Sequence, residues 1–356
     1  VISPASFTPA IDKLIVNHGD GSFTASEVTD DPAAASTGLG VVIANWDNQD
    51  GLDVFVGNDI RPNHLWVRDP ESRQWSDIAA VTGCAYGHGG SATASMGIAV
   101  ADFDSSGTPD IHITNFFEES VSLFLNRQAS FVEQSVAFDL YQDSYQVLGF
   151  GCQAIDYNND GFPDLAVTNG SIERTPDAPF HQPPQFFVNL GKRFALTDVE
   201  DSSGYWQQKT LGRSMSRLDF NRDGRSDLLI SHLDRPTAII LNETDSQNHW
   251  LQLELIGTGA ERDAIGAKVT VTAGGRTWSQ WIFGGDGYLC RNEPVLNFGI
   301  GSQAEAAQVE VTWPDGSQQR LGSLPADQRY LIIQGQDAEQ MVIGGSSLPA
   351  AAFASP

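Results

Sequence analysis

The segment DYNNDGFPDLAV, residues 156–167, decides the fold of this protein, because near copies of it occur three more times in the chain. The copies are NWDNQDGLDVFV at 45–56, DFDSSGTPDIHI at 102–113 and DFNRDGRSDLLI at 219–230. Each copy has oxygen-bearing side chains at alternate loop positions, a glycine at or next to the sixth position, and then an apolar run. Recurrence roughly every 60 residues is typical of the blades of a propeller.

The pattern of side-chain oxygens predicts a metal site in each loop. Oxygens placed around a sharp turn converge on one point, and Ca²⁺ takes about six to eight oxygen ligands. The twelfth position holds Val56, Ile113, Val167 or Ile230 instead of the Glu that an EF-hand requires, so the loops join strands instead of helices. We therefore predict three or four Ca²⁺ ions, and solvated acidic turns without metal are the alternative.

The predicted ligands are the side chains at positions 1, 3, 5 and 9. In the third loop they are Asp156, Asn158, Asp160 and Asp164, and in the fourth loop Asp219, Asn221, Asp223 and Asp227. In the second loop they are Asp102, Asp104, Ser106 and Asp110. The first loop begins with Asn45, so we expect its affinity to be the lowest and its ligand set to shift towards Asp47, Asp50 and Asp53.

Residues outside the loops also recur. Five residues before the four loops stand Gly40, Gly97, Gly151 and Ser214, and after each loop comes a second apolar run, such as LFLN at 123–126. A further copy of that run, LIVN at 14–17, precedes the first loop. These patterns predict an all-β protein in which residues 1–246 form a β-propeller of four or five blades. We expect strands from both ends of this region to complete one blade.

The pattern changes after residue 246. Leu251, Leu253 and Leu255 alternate with polar residues, and further strands are predicted at 268–272, 278–283, 308–313 and 330–333. This pattern predicts a small β-sandwich-like domain at 247–336. Residues 337–356 lack periodicity and are predicted to be a flexible tail.

The repeats resemble the FG-GAP/VCBS calcium repeats of integrin-α-like propellers. The segments NHWLQLELIGTGAERDAIGAKVTV, GGDGYLCRNEPVLNFGIG and VEVTWPDGSQQRLG resemble the ASPIC/UnbV domain, named for acidic secreted cartilage proteins of the CRTAC type and for bacterial homologues. The first resemblance covers most of 11–244 and the second about 248–335. It implies an adhesion-type, calcium-binding protein. Arg262, Asp263, Asp286 and Arg291 match the charged motif positions of the second domain, and we expect structural ion pairs there.

Composition limits the partners. The formal net charge of −25 repels phosphate backbones and anionic headgroups, so we expect no nucleic acid and no membrane insertion. Cys84, Cys152 and Cys290 allow at most one disulfide and form no zinc motif. We expect the protein to be secreted, periplasmic or at the cell surface, where calcium is plentiful. Because the sequence begins at Val1, we expect that processing or trimming has removed any export signal.

A ligand site is predicted from loop residues. The third repeat contains an insertion, SIERTPDAPFHQPP at 171–184, and insertions into rigid repeats carry binding function. The candidate ligand-binding residues are Phe180, His181, Tyr205, Trp206 and His88. The alternatives are a proline-stiffened loop that covers the blade edge and aromatic rings that only pack.

Two functions fit the sequence. The first is a calcium-binding recognition or adhesion-type module that binds a glycan or protein ligand. The second is an enzyme of specialised metabolism or carbohydrate modification built on a calcium-stabilised propeller. No GxSxG, HExxH or P-loop motif is present, and a carboxylate bound to calcium is held ionised, which favours the first.

Overall fold

A computed structural model describes residues 4–47, 49, 51–174, 178–199, 203–303, 305–306 and 308–341. Asp50 and residues 342–356 of the predicted tail lie outside these residues. Residues 337–341 of that tail are described, and they include the strand Glu339–Gln340, which pairs with the strand Gln328–Ile333. Nearly all regular structure is strand. The helices are α1 (Ala79–Thr82), α2 (Tyr141–Ser144) and the 3₁₀ turns Pro4–Ser6, Pro32–Ala34, His88–Gly90 and Tyr205–Gln207. In the described part of the chain no helix is long and apolar enough to cross a membrane.

Four antiparallel sheets follow one another in the first part of the chain, and we call them blades 1 to 4. Blade 1 consists of β3 (Gly38–Ala44), β4 (Asp53–Asn58), β5 (His64–Arg68) and β6 (Trp75–Asp77). Blade 2 consists of β7 (Ile98–Ala101), β8 (Asp110–Ile113), β9 (Ser122–Asn126) and β10 (Phe131–Glu133). Blade 3 consists of β11 (Gly149–Ile155), β12 (Asp164–Asn169), β13 (Gln185–Asn189) and β14 (Phe194–Leu196). Blade 4 consists of β15 (Gly212–Leu218), β16 (Asp227–His232) and β17 (Ala238–Ile240).

The first strand of each blade is its inner strand, and neighbouring inner strands approach each other closely. A Cβ on Gly97 would lie 2.0 Å from the carbonyl oxygen of Phe150, and one on Gly151 would lie 2.6 Å from the backbone nitrogen of Met215. Only glycine fits there, which explains two of the recurring glycines. Blade 4 carries Ser214 instead, and its hydroxyl hydrogen-bonds Ser231 within the same blade at 2.7 Å.

Apolar side chains fill the spaces between consecutive blades. Three clusters are buried between blades 1 and 2, blades 2 and 3, and blades 3 and 4; each contains residues of both neighbours. Phe55 and Ile111 belong to the first cluster, Leu123 and Phe187 to the second, and Phe186 and Ile230 to the third. The propeller prediction is confirmed, with four blades in the described residues.

The closure of a blade by both ends of the region does not occur in the described residues. β1 (Lys13–Asn17) pairs with β2 (Phe23–Glu27), and these two strands form a separate hairpin. Asp12, just before the hairpin, accepts hydrogen bonds from His64 and Trp66 of blade 1. Those bonds hold the hairpin at blade 1 instead of at the outer strand of blade 4, so that prediction is wrong.

The C-terminal domain consists of two four-stranded sheets around one apolar core. The first sheet has the order β21 (Val295–Gly301), β18 (His249–Ile256), β26 (Gln328–Ile333) and β27 (Glu339–Gln340). The second has the order β20 (Arg276–Trp281), β19 (Lys268–Ala273), β23 (Gln308–Thr312) and β24 (Gln318–Leu321). A short pair, β22 (Glu305–Ala306) and β25 (Leu324–Pro325), completes the domain. The predicted sandwich-like domain is confirmed.

A segment of the C-terminal domain, residues 283–293, lies against the inner strands of the propeller, and we call it the central segment. Its contacts are backbone pairing of Gly284 with Ile43 and of Gly287 with Ile98, and hydrogen bonds of Asn292 with Gln153 and with the backbone of Arg217. These partners belong to β3, β7, β11 and β15, the inner strands of all four blades. The two parts of the chain therefore pack as one unit.

Candidate metal centres and ligand site

The acidic loop of blade 2 gathers three carboxylates. Asp102, Asp104 and Asp110 each offer an oxygen, and these atoms all lie within 4.8 Å of one another. Asp102 accepts hydrogen bonds from the backbone of Ser106 at 2.7 Å and of Gly107 at 2.8 Å. The backbone donors hold the loop closed around its own first residue, so the carboxylates face a common point.

The loops of blades 3 and 4 repeat the backbone hydrogen bonds of this turn, but among the described residues three carboxylates lie within 4.8 Å of one another in the second loop alone. Asp156 accepts from Asp160 N at 3.1 Å and from Gly161 N at 2.8 Å, and Asp219 accepts from Asp223 N at 3.0 Å and from Gly224 N at 2.9 Å. Gly161 and Gly224 both have a φ of +85°, the left-handed conformation that L side chains rarely adopt. The glycine in the motif is thus required by the turn.

The ninth-position carboxylates fasten the loops to their blades. Asp164 accepts from Tyr157 N at 3.2 Å and from Asn189 N at 2.8 Å. In blade 1, Asp53 accepts from Trp46 N at 2.9 Å, and Asp47 accepts from Gln49 N at 2.8 Å. The first loop therefore keeps the bond from the backbone of its second residue to its last Asp, as in the third loop.

Sequence reasoning missed a structural role for the asparagine at or just after the end of the third strand of blades 2 to 4. Asn126, Asn189 and Asn242 donate from Nδ2 to the carbonyls of Trp46, Phe103 and Tyr157, at 3.2, 2.9 and 2.8 Å. Each acceptor is the second residue of the acidic loop of the preceding blade. The recurrence of this Asn in the sequence could have indicated the role, because a contact that is repeated in each blade requires the same residue in each repeat.

The electrostatics of the loops fit a divalent cation. Burial and the nearby charges of Asp104 and Asp102 raise the pKa of Asp110 to about 8, and burial with the charges of Asp156 and Asp160 raises the pKa of Asp164 to about 8. The other raised values, again caused first by burial, are a pKa of about 7 for Asp53 and Asp156 and of about 6 for Asp102 and Asp227. Such clustered carboxylates need positive charge to stay ionised together, and a Ca²⁺ ion with oxygen ligands supplies it.

The predicted ligand residues fall into two places. His181 Nε2 lies 2.7 Å from Asp234 in the loop between β16 and β17, and Tyr205 Oη lies 2.9 Å from Nε2 of His232, the last residue of β16. Phe180 packs against His181, with the Arg174 guanidinium 4.7 Å from its ring centre. His88 lies apart on blade 2, 3.3 Å from Glu133 and beside the ring of Tyr141.

Two of these aromatic rings are less exposed than a stacking platform requires. Tyr205 and Trp206 are 6% and 8% exposed, and Trp206 packs edge-on against Phe186 at 5.4 Å between ring centres. The turn Tyr205–Gln207 directs both rings between blades 3 and 4 instead of into solvent. The burial of Tyr205 and Trp206 therefore favours the alternative that these two rings only pack.

The charged motif positions of the C-terminal domain divide between surface and interior. Arg291 and Asp263 are exposed and approach to 3.7 Å. Asp286 in the central segment accepts from Asn292 at 2.8 Å; burial raises the pKa of its carboxyl, and the nearby Arg217 guanidinium opposes that rise. The three cysteines are free, with Cys84 and Cys152 buried.

Known protein families match segments in both the repeat region and the C-terminal domain. Residues 102–167 match the FG-GAP-like repeat family and residues 257–339 match the ASPIC and UnbV family. Cartilage acidic protein 1 of Xenopus tropicalis is 30% identical over 292 residues, and that of Mus musculus is 28% identical over 295 residues. These matches cover 78% and 79% of this chain, which spans 42% of the length of each relative.

Solved structures show weaker likeness. A lectin from Agrocybe aegerita, described as recognising non-reducing terminal N-acetylglucosamine, has a TM-score of 0.42 at 14% identity, covering 89% of this chain and 88% of its own. The V. cholerae biofilm matrix protein Bap1 has a TM-score of 0.30 at 10% identity, covering 81% of this chain and 59% of its own. Sequence, not these structures, identifies the family. The chain carries FG-GAP-like repeats followed by an ASPIC and UnbV domain, and cartilage acidic protein 1 is its homologue.

Proposed function

We propose that this protein is a calcium-stabilised recognition module that works outside the cell and binds a protein or glycan ligand. One observation carries the proposal: three successive loops close around their first Asp with the same backbone bonds, and in the second loop three carboxylates lie within 4.8 Å of one another. Homology to cartilage acidic protein 1 supports an adhesion-type role.

The loops of blades 2, 3 and 4 would hold three Ca²⁺ ions. Their ligands are Asp102, Asp104, Ser106 and Asp110 in the second loop, Asp156, Asn158, Asp160 and Asp164 in the third, and Asp219, Asn221, Asp223 and Asp227 in the fourth. A fourth ion at Asp47 and Asp53 would bind more weakly, because Asn45 replaces the Asp that begins each of the other three loops. The ions neutralise the clustered charge and stiffen the corner between the first two strands of each blade.

The ligand surface is proposed at the opposite end of the blades. Antiparallel order places the acidic loops at one end of each sheet and the loops between the second and third strands at the other. That second end, which we call the distal face, carries Phe180 and His181 on the insertion of blade 3 and His88 before blade 2. The C-terminal sandwich contacts the acidic loops, so it leaves these distal residues accessible to a ligand.

Binding assays test the ligand surface. Glycan arrays and capture of extracellular matrix proteins would identify a ligand, and His181→Ala and Phe180→Ala should weaken its binding at least fivefold. His249→Ala serves as the matched control, because His249 is a partly exposed histidine that pairs with Asp327 in the C-terminal domain, away from this face. Equal binding by both His181 and Phe180 variants and by the parent protein would contradict the assignment of this surface.

A further inference from the structure

The C-terminal domain rests on all four acidic loops. Lys268 Nζ donates to the carbonyl of Gly107 at 2.9 Å in the second loop. A Cβ on Gly266 would lie 2.3 Å from Leu52 in the first loop. Gly301 N donates to Asn159 O at 3.0 Å in the third loop. The surface that would hold the ions is therefore also the surface on which this domain docks.

Two tryptophans of the C-terminal domain lie directly on the turn glycines of the loops. A Cβ on Gly161 would lie 2.1 Å from Trp278 Nε1, and one on Gly224 would lie 1.8 Å from Trp250 Cε2. Each indole therefore touches the residue whose backbone N–H binds the first Asp of its loop, at 2.8 Å from Gly161 and 2.9 Å from Gly224. Any rearrangement of that turn must move the indole.

In the fourth loop, the C-terminal domain hydrogen-bonds a predicted ligand directly. Gln252 on β18 is 1% exposed and donates from Nε2 to Asp219 Oδ2 at 2.8 Å. Its Oε1 is buried and accepts no hydrogen bond from the described residues. Glu293 accepts from the backbone of Asp219 at 2.9 Å, and Arg329 joins Glu293 to Glu254 at 2.8 and 2.9 Å. The C-terminal domain thus contacts both the side chain and the backbone of Asp219, the first predicted ligand of the fourth loop.

We propose that the C-terminal domain is a sensor of calcium occupancy, with Gln252 as a positioning residue for the fourth site and Trp250 and Trp278 as the contacts that follow loops 4 and 3. This inference rests on the proposed calcium binding. The ion and the domain stabilise the same conformation of the loop, so each strengthens the binding of the other by the same factor. Partners of metal ligands commonly change metal affinity by about 10–100-fold when they are removed.

The test uses the full chain and calcium alone. Isothermal titration calorimetry compares the parent protein with Gln252→Met, which keeps side-chain bulk but removes the donor, and with the exposed Gln308→Met as the matched control. We expect Gln252→Met to weaken one site about tenfold with the number of ions unchanged, and Gln308→Met to leave every site unchanged.

Tryptophan fluorescence measures whether the C-terminal domain responds to calcium in the loops. Calcium should reduce acrylamide quenching of the protein, and Tb³⁺ in place of calcium should be sensitised by the neighbouring indoles. Trp250→Phe and Trp278→Phe should each remove part of both signals. Trp313→Phe should remove neither, because Trp313 hydrogen-bonds Gln319 inside the C-terminal domain. Urea unfolding of each variant verifies that it is folded.

The outcomes separate the two proposals. If the parent protein binds calcium, but Gln252→Met titrates like Gln308→Met and the two tryptophan variants keep the calcium signals, the sensor proposal is wrong while calcium binding stands. If the parent protein binds no calcium in the titration, both proposals fail.

Discussion

Asn189 in blade 3 donates from Nδ2 to the carbonyl oxygen of Phe103 in the acidic loop of blade 2, over 2.9 Å. The same side chain accepts from Gly191 N, and the backbone N of Asn189 donates to Asp164 in its own loop at 2.8 Å. One residue therefore connects the loops of two blades. Equivalent bonds from Asn126 and Asn242 make the loops a connected series.

Asn189→Ala should lower the free energy of unfolding by about 1–3 kcal/mol, because the substitution leaves a buried carbonyl without its donor. Urea denaturation measures this loss. Asn17 is the matched control, since it holds the same motif position in the N-terminal hairpin but is exposed, and its side chain accepts a hydrogen bond from the nearby Gly19 N instead of reaching another blade. Equal losses for Asn17→Ala and Asn189→Ala would contradict the blade-to-blade role.

Calcium should raise the melting temperature, because an ion that binds the folded state alone stabilises it by about 2.7 kcal/mol when its concentration is a hundred times the dissociation constant. Calorimetry with millimolar calcium and with EDTA measures the difference. Several sites should make it several degrees or more. A melt insensitive to EDTA, together with no bound metal in elemental analysis, would remove the calcium proposal.

Asp164→Asn should reduce the bound calcium by one ion per chain and lower the melting temperature in calcium. An amide keeps only one acceptor oxygen, whereas Asp164 accepts from both Asn189 N and Tyr157 N and is also a predicted ligand. Elemental analysis after desalting counts the ions. The exposed Asp20→Asn controls for the change in net charge, and an unchanged ion count in Asp164→Asn would exclude loop 3 as a site.

Gly97→Ala should destabilise the propeller by about 1–3 kcal/mol, because its Cβ would lie 2.0 Å from Phe150 O and would push two inner strands apart. Gly322→Ala is the control, since no atom lies within 4 Å of a Cβ there. Chemical denaturation compares the two variants. A Gly97→Ala protein as stable as Gly322→Ala would show that the inner strands are not packed at this distance.

The sequence alone determined the repeat, the position of the acidic loops and the β-sandwich that follows. These features are local: a turn glycine, alternate oxygen donors and an apolar strand lie within a dozen or so residues, so each copy carries its own evidence. The inner-strand glycines and the third-strand asparagines also recur in the sequence, although their roles depend on neighbouring blades.

Only the tertiary structure decided how the parts meet. The burial of Trp206, the attachment of the N-terminal hairpin to blade 1 and the place of residues 283–293 against four inner strands all depend on contacts between distant residues. The bond from Gln252 to Asp219 is of the same kind. In the sequence, Gln252 cannot be told apart from any other polar residue of a β-strand. Its contact with Asp219 depends on how the two domains pack, and not on its neighbours along the chain.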